Sequence, residues 1–305
     1  MKLEGIHHIT AITENAQSNV DFYAGVLGLR LVKKTVNQDN PTVYHLFFAS
    51  EEGDAGSDLT FFEYPGAPRG RAGAGMVHRI VWRVGSVAAF EFWEERLAER
   101  GVAARREAEG LVFSDPEGLD HELVVVDVPD RPLSAKHPEV PAEHALQGFH
   151  AVRAYATAPG ASAGLLEALG FDGGEGSWEA RGEQRGGHYL YDAAPSERGL
   201  QGAGSVHHVA WASTPEELLR WRDKAVAGGA QPTPEIDRFY FRSIYFREPN
   251  GVLFEIATLG PGFTVDEPLE HLGEKLSLPP AFEHLRDEVE PNLRPVSNPR
   301  VQAQG

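Results

Sequence analysis

The chain has 305 residues, enough for two domains that each bury a core, and its 41% hydrophobic and 24% charged residues describe a globular protein. A net charge of −17 repels a phosphate backbone and excludes nucleic acid as a partner, and no apolar run reaches the roughly eighteen residues of a membrane span. With no cysteine, disulfides and thiolate chemistry are excluded, and any metal must be held by His, Asp or Glu.

The opening MKLEGIHHIT holds no apolar segment of signal-peptide length, so a cytoplasmic protein is expected. GIHHITAITENAQSNVDFYAGVLGLRLV (5–32) reads as strand, helix, then Leu-Gly at the helix end, with VYHLFFAS and LTFFEYP as a hairpin after it. RGRAGAGMVHRIVW (69–82) is followed by an amphipathic helix ending at Gly, WEERLAERGV. The next stretch, LVFSDPEGLDHELVVV, alternates apolar residues on both sides of a Pro-x-Gly turn. VPDRPLSAKHPEVPAEHA (128–145), rich in proline and charge, reads as a linker. GFHAVRAYATAPGASAGLLEALGFDG (148–173) again gives strand and helix, with GSWEARG and HYLYDA as its hairpin. RGLQGAGSVHHVAW (198–211) aligns without a gap on residues 69–82 and leads into WRDKAVAGGA and SIYFREPNGVLFEIAT. Both Gly-Ala-Gly runs precede strands rather than helices, which makes them turns and not phosphate loops. The Pro-rich tail holds one helix, around Pro280–Val289.

This is an α+β chain of four βαβββ modules, roughly 1–66, 73–128, 147–194 and 202–260. The expected division is an N-terminal domain of two modules (1–128), a linker (129–146), a C-terminal domain of two modules (147–262) and a tail (263–305). Four such modules resemble the vicinal oxygen chelate superfamily, which includes glyoxalases, bleomycin-binding proteins and extradiol dioxygenases. The resemblance implies two tandem domains whose modules pair into cupped half-barrels around a metal. It implies a fold and a cavity, not a reaction.

Side chains alternate along a strand, so only one histidine of each His-His pair faces the cavity. His8 shares a face with Ile6 and Thr10, and His208 with Val206 and Ala210, where small residues leave room for a ligand. The equivalent positions in the other modules are Arg79 and Ala151. The last strands offer Glu255 and Glu122, with Phe61, Phe62 or Glu63 in the first module and a tyrosine or Asp192 in the third. His8, His208 and Glu255 therefore form the most complete ligand set, two imidazoles and a carboxylate as in non-haem Fe(II) oxygenases. It requires the first and fourth modules to be neighbours. Glu122 is expected to pair with Arg79, and Thr10, Ala210 and Ala257 to line the cavity. His7, His78, His150 and His207 recur at one position and suit packing or hydrogen bonding; His7, His207 and Thr10 are the expected supports of the ligands. His271 and His284 are expected in solvent.

DRFYFRSIYFREPNGVLFEIATLGPGF (237–263), with GIHHIT and LSLPPAFEHLR, resembles the hydroquinone-type ring-cleaving dioxygenases of that superfamily. The resemblance implies a metal on His8, His208 and Glu255, Fe(II) or alternatively Mn(II), and substrate contacts from Arg238 and Tyr245, with Tyr245 as acid/base or hydrogen-bond donor. It implies an extradiol-type enzyme that opens a hydroquinone or catechol ring with O₂. A glyoxalase-like isomerase or lyase is the rival enzyme, with Glu63 as its second acid, and a binding protein for a planar aromatic compound is the non-enzymatic rival. The oligomeric state is left open.

Overall fold

The computed structural model describes residues 1–108 and 110–302. The first module supplies β1 (Ile6–Thr13), β2 (Arg30–Asn37), β3 (Asn40–Ala49) and β4 (Asp58–Glu63). The second supplies β5 (Val77–Val84), β6 (Ala104–Glu107), β7 (Gly110–Ser114) and β8 (Asp120–Val125). From the third come β9 (Phe149–Ala156), β10 (Asp172–Gly174), β11 (Ser177–Arg181) and β12 (Gly186–Ala193). The fourth contributes β13 (Val206–Ser213), β14 (Ile236–Asp237), β15 (Arg242–Arg247) and β16 (Leu253–Thr258).

One helix follows the first strand of each module. In the first, α1 (Ala16–Val20) starts at Asn15, whose side chain accepts from the Ser18 amide, and runs on as a π-helical segment, Asp21–Val26. The second, α2 (Ala88–Glu99), buries Phe90, Trp93 and Leu97 at helical spacing. The third, α3 (Ala163–Ala168), is short, and α4 (Leu218–Ala227) buries Leu218, Trp221 and Ala225. These faces join a large apolar core that includes Trp82, Trp93, Trp211 and Trp221. None of the helices among the described residues is long and apolar enough to cross a membrane.

The first and fourth modules form one eight-stranded sheet, ordered β14-β15-β16-β13-β1-β4-β3-β2. The second and third form the other, ordered β10-β11-β12-β9-β5-β8-β7-β6. Each sheet thus takes one module from each half of the chain, and the first and fourth modules are neighbours, as a shared site requires. The seam of the first sheet is the antiparallel pair β1–β13, flanked by β4 and β16 in parallel.

The tail is pinned to the first sheet. Fully buried Lys33 on β2 donates to Asp266 (2.7 Å) and to Glu267, and its ammonium lies over the Tyr240 ring. The helix expected around Pro280–Val289 is a 3₁₀ segment, Pro280–Leu285, followed by one α-turn, Arg286–Val289.

Candidate metal centre

The ladders set His8, Ala210, Glu255 and Tyr245 in one row across β1, β13, β16 and β15. Paired residues share a face, so His8, Glu255 and Tyr245 project to the same side with Ala210 as the gap between them. His208 stands one row away, opposite Thr10. The result is a cluster of one ligand atom each from His8, His208 and Glu255, all within 4.8 Å of one another. Among the described residues it is the one cluster of acidic and imidazole groups with metal-ligand spacing.

All three side chains are buried. His8 Nε2 and His208 Nε2 are 3.3 Å apart, and Glu255 Oε2 lies 3.2 Å from the first and 2.9 Å from the second. The other carboxylate oxygen accepts from the Ser243 hydroxyl. The hydrogen-bond chain behind His8 fixes its tautomer. The Thr258 carbonyl can only accept, so His7 Nε2, 3.2 Å away, carries a proton and His7 Nδ1 is bare. His8 Nδ1, 2.9 Å from His7 Nδ1, must then donate, which leaves the Nε2 of a neutral His8 as a lone pair aimed at Glu255. His207 Nδ1 meets His208 Nδ1 at 2.8 Å. The bare His8 nitrogen and His208 Nε2 both face Glu255 Oε2, itself a buried atom without a hydrogen-bond partner, and the three suit a cation between them. The donor set fits a divalent metal.

Charge in the metal-free cluster is organised by Glu255. Burial acts against its ionisation, but His8 and His208 outweigh this and hold it well below the usual carboxylate range. Burial likewise pulls His8 down, yet the adjacent Glu255 charge lifts it above an ordinary imidazole, while burial keeps His208 lowered. Burial and the adjacent His8 imidazole bring His7 down to about 3, so it is neutral, and His207 is lowered as well.

The cluster faces a cavity of about 300 Å³ lined by His8, Thr10, His45, Phe47, Phe62, His207, His208, Arg238, Phe241 and Tyr245, among others. Arg238 Nε is 3.3 Å from the Tyr245 hydroxyl, and both of its terminal nitrogens reach Asp39 at 3.2 Å. The tie to Asp39 links the fourth module to the β2–β3 turn at the cavity mouth. Burial, then the Glu255 charge, raise Tyr245 above an ordinary phenol. Phe241 covers both His7 and His8, with ring centroids 5.3 and 5.0 Å away.

Several expected placements need correction. In the first module the position equivalent to Glu255 is Thr60, opposite Thr10, not Phe61, Phe62 or Glu63. Glu63 sits on the other face and accepts from the Ala16 amide at the start of α1, so it offers no second acid to the cavity. The third-module position is Leu190, opposite Arg153, rather than a tyrosine or Asp192. Ala210 and Ala257 lie under Tyr240, Phe241 and Phe263 in a small apolar cluster, not on the cavity wall. Glu122 does pair with Arg79, at 3.2 Å. The four recurrent histidines differ in their contacts. His78 bonds Asp192 at 2.8 Å and stacks on Tyr155, whereas His150 packs on His188. His271 is exposed and meets Glu274 at 3.1 Å.

Sequence reasoning passed over His45, Ser243, Thr60 and Phe241. His45 was detectable as a polar residue inside the apolar strand VYHLFFA. The others carry no signal until the register is known.

The chain belongs to the Glyoxalase/Bleomycin resistance protein/Dioxygenase superfamily, whose model matches residues 5–123 and 144–256. It is 39% identical over 318 residues to the "Putative ring-cleaving dioxygenase MhqA" of Bacillus subtilis (strain 168), covering 97% of this chain and all (100%) of that one. It is 33% identical over 328 residues to a chlorohydroquinone/hydroquinone 1,2-dioxygenase of Sphingobium indicum, covering 98% of each chain. The crystal structure of a putative dioxygenase from Bacillus subtilis superposes with a TM-score of 0.91 at 39% identity, over 97% of this chain and 98% of that one. Glyoxalase I from Zea mays shares the fold alone, with a TM-score of 0.59 at 14% identity over 83% of this chain and 92% of that one.

Proposed function

We propose that the chain is a non-haem Fe(II) dioxygenase of extradiol type that opens the ring of a hydroquinone or catechol with O₂. The observation that carries this reading is the convergence of His8, His208 and Glu255 on one buried point of a cavity sized for a single ring. Dioxygenase-named relatives aligned over nearly the whole chain favour the same chemistry. Held by those three donors, divalent iron would supply the one-electron chemistry that lets O₂ react with a spin-paired diol. Mn(II) suits the same donors.

The side chains around the cluster divide the remaining work. Tyr245, raised by burial and by Glu255, keeps its proton and so acts as a hydrogen-bond donor to a ring oxygen rather than as the base. Arg238, beside it, offsets the negative charge of a diol that has lost a proton. Phe47, Phe62 and Phe241 keep water from the ring faces. Glu63, the second acid named for a glyoxalase-like isomerase, is turned away from the cavity and bound to α1.

Oxygen uptake by anaerobically Fe(II)-loaded protein tests this reading, with hydroquinone, methylhydroquinone and catechol as substrates and His208→Ala as control. One O₂ consumed per ring, loss of the aromatic absorbance and a silent control are expected. Iron-retaining protein that takes up no O₂ with any diol overturns it.

A further inference from the structure

Ring opening at this site has to dispose of a proton from the diol. Tyr245 is a donor, and the Nδ1 atoms of His7 and His207 are engaged with the candidate ligands. One hydrogen-bond chain at the cavity has no such commitment. Thr10, beside His8 on the cavity floor, has its hydroxyl 2.8 Å from that of Thr60, and the Thr60 hydroxyl lies 2.9 Å from His45 Nε2. Both threonines are fully buried. His45, paired with Thr35 across the β2–β3 ladder, lines the same cavity as Asp39, whose side chain is 73% exposed. Its ring is held between Phe47 and Phe62, with centroids 4.0 and 4.4 Å away. Among the described residues its Nδ1 has no hydrogen-bond partner.

Resting on the ring-cleavage reading, we propose that Thr10, Thr60 and His45 are a proton relay from the bound diol to the mouth of the cavity. Each hydroxyl both accepts and donates, so the chain can run with either polarity. In the accepting state the diol O–H donates to Thr10, Thr10 to Thr60, and Thr60 to the bare Nε2 of His45. Transfer breaks the diol O–H bond, hands one proton along each hydroxyl and forms an N–H bond at His45 Nε2. The proton on Nδ1 then leaves to solvent, and the imidazole ends neutral in its other tautomer. The reverse passage returns a proton to the opened product. This assigns a purpose to the departure of the first module from the fourth: Thr60 stands where Glu255 stands in its own module, and a hydroxyl there carries a proton where a carboxylate would bind the metal. His45 acts through the threonines and is a positioning and relay residue.

Thr60→Val, nearly isosteric, cuts the relay; Thr60→Ser keeps it, and His45→Phe removes its end. Anaerobic binding of nitrohydroquinone, whose phenolate absorbs in the visible, reads where the proton goes without turnover. The wild-type chain is expected to bind it as the phenolate. Thr60→Val and His45→Phe are expected to bind it in neutral form at unchanged metal content, with kcat lowered about 10²-fold, KM nearly unchanged and the solvent deuterium effect altered. Thr60→Ser is expected to restore all of these. A Thr60→Val variant with wild-type kcat, isotope effect and phenolate band overturns the relay alone. A wild-type chain that binds no nitrohydroquinone and takes up no O₂ with any diol overturns the ring-cleavage reading, and the relay with it.

Discussion

His7 and His8 meet through their Nδ1 atoms, 2.9 Å apart, and the Thr258 carbonyl behind them decides which nitrogen holds the proton. If His8 holds a metal, an imidazole oriented in this way loses affinity when its support is removed. His7→Phe is expected to weaken metal binding by about 10–100-fold while leaving the fold intact. Anaerobic titration with Fe(II) or Mn(II) measures it, and unchanged affinity would detach His7 from the centre.

Metal uptake should expel a proton. In the metal-free protein Glu255 raises His8 above an ordinary imidazole, so below that raised value Nε2 is protonated and competes with the metal. Affinity is then expected to rise about tenfold per pH unit until His8 is neutral, and to level off above it. Below the raised His8 value, calorimetry in buffers of different ionisation heat should count about one proton released per metal, and above it almost none. A pH-independent affinity contradicts this.

Tyr245→Phe deletes the phenol and leaves the Arg238 guanidinium without its 3.3 Å neighbour. The expected outcome is a fall in kcat of about 10²-fold with metal content unchanged. If Tyr245 were instead the base, the variant would move the limb of the pH–rate profile, which single-turnover kinetics across pH would reveal.

Asp58 pairs with His8 in the ladder, is buried, and has neither carboxylate oxygen hydrogen-bonded among the described residues. Burial pushes its pKa up from 3.8 to about 7. The fold therefore holds a proton that the unfolded chain gives up, and stability is lost as pH rises from about 4 to about 7. In metal-free protein, Asp58→Asn is expected to add up to about 4 kcal/mol at pH 8 and almost nothing at pH 4. Urea unfolding at both pH values decides; destabilisation at pH 8 would mean that the carboxylate has a partner.

The repeat made the modules legible, and strand alternation separated His8 and His208 from His7 and His207. What alternation cannot give is register between strands distant in sequence. Glu63 and Thr60 are three residues apart and both polar, but only the β1–β4 pairing shows that Thr60 lies against Thr10 while Glu63 serves α1. The same limit hid Ser243, whose bond to Glu255 exists only across β15 and β16. Ala210 and Ala257 looked like open wall because they are small; the chain fills that space with Tyr240 and Phe241 from a loop of no regular period.

The pairing of the outermost modules also orders events in time. His8 and His208 are 200 residues apart, and at about 5–20 residues per second a ribosome needs on the order of 10–40 s to pass from one to the other. During that interval β1 has no β13 to join, whereas the second and third modules, contiguous in the chain, close their sheet as soon as both have emerged. The inner pair is thus a platform completed first, and the outer pair closes around it last. Until residue 208 is added the chain carries one of the three donors, so the cluster comes together only after the fourth module has been made.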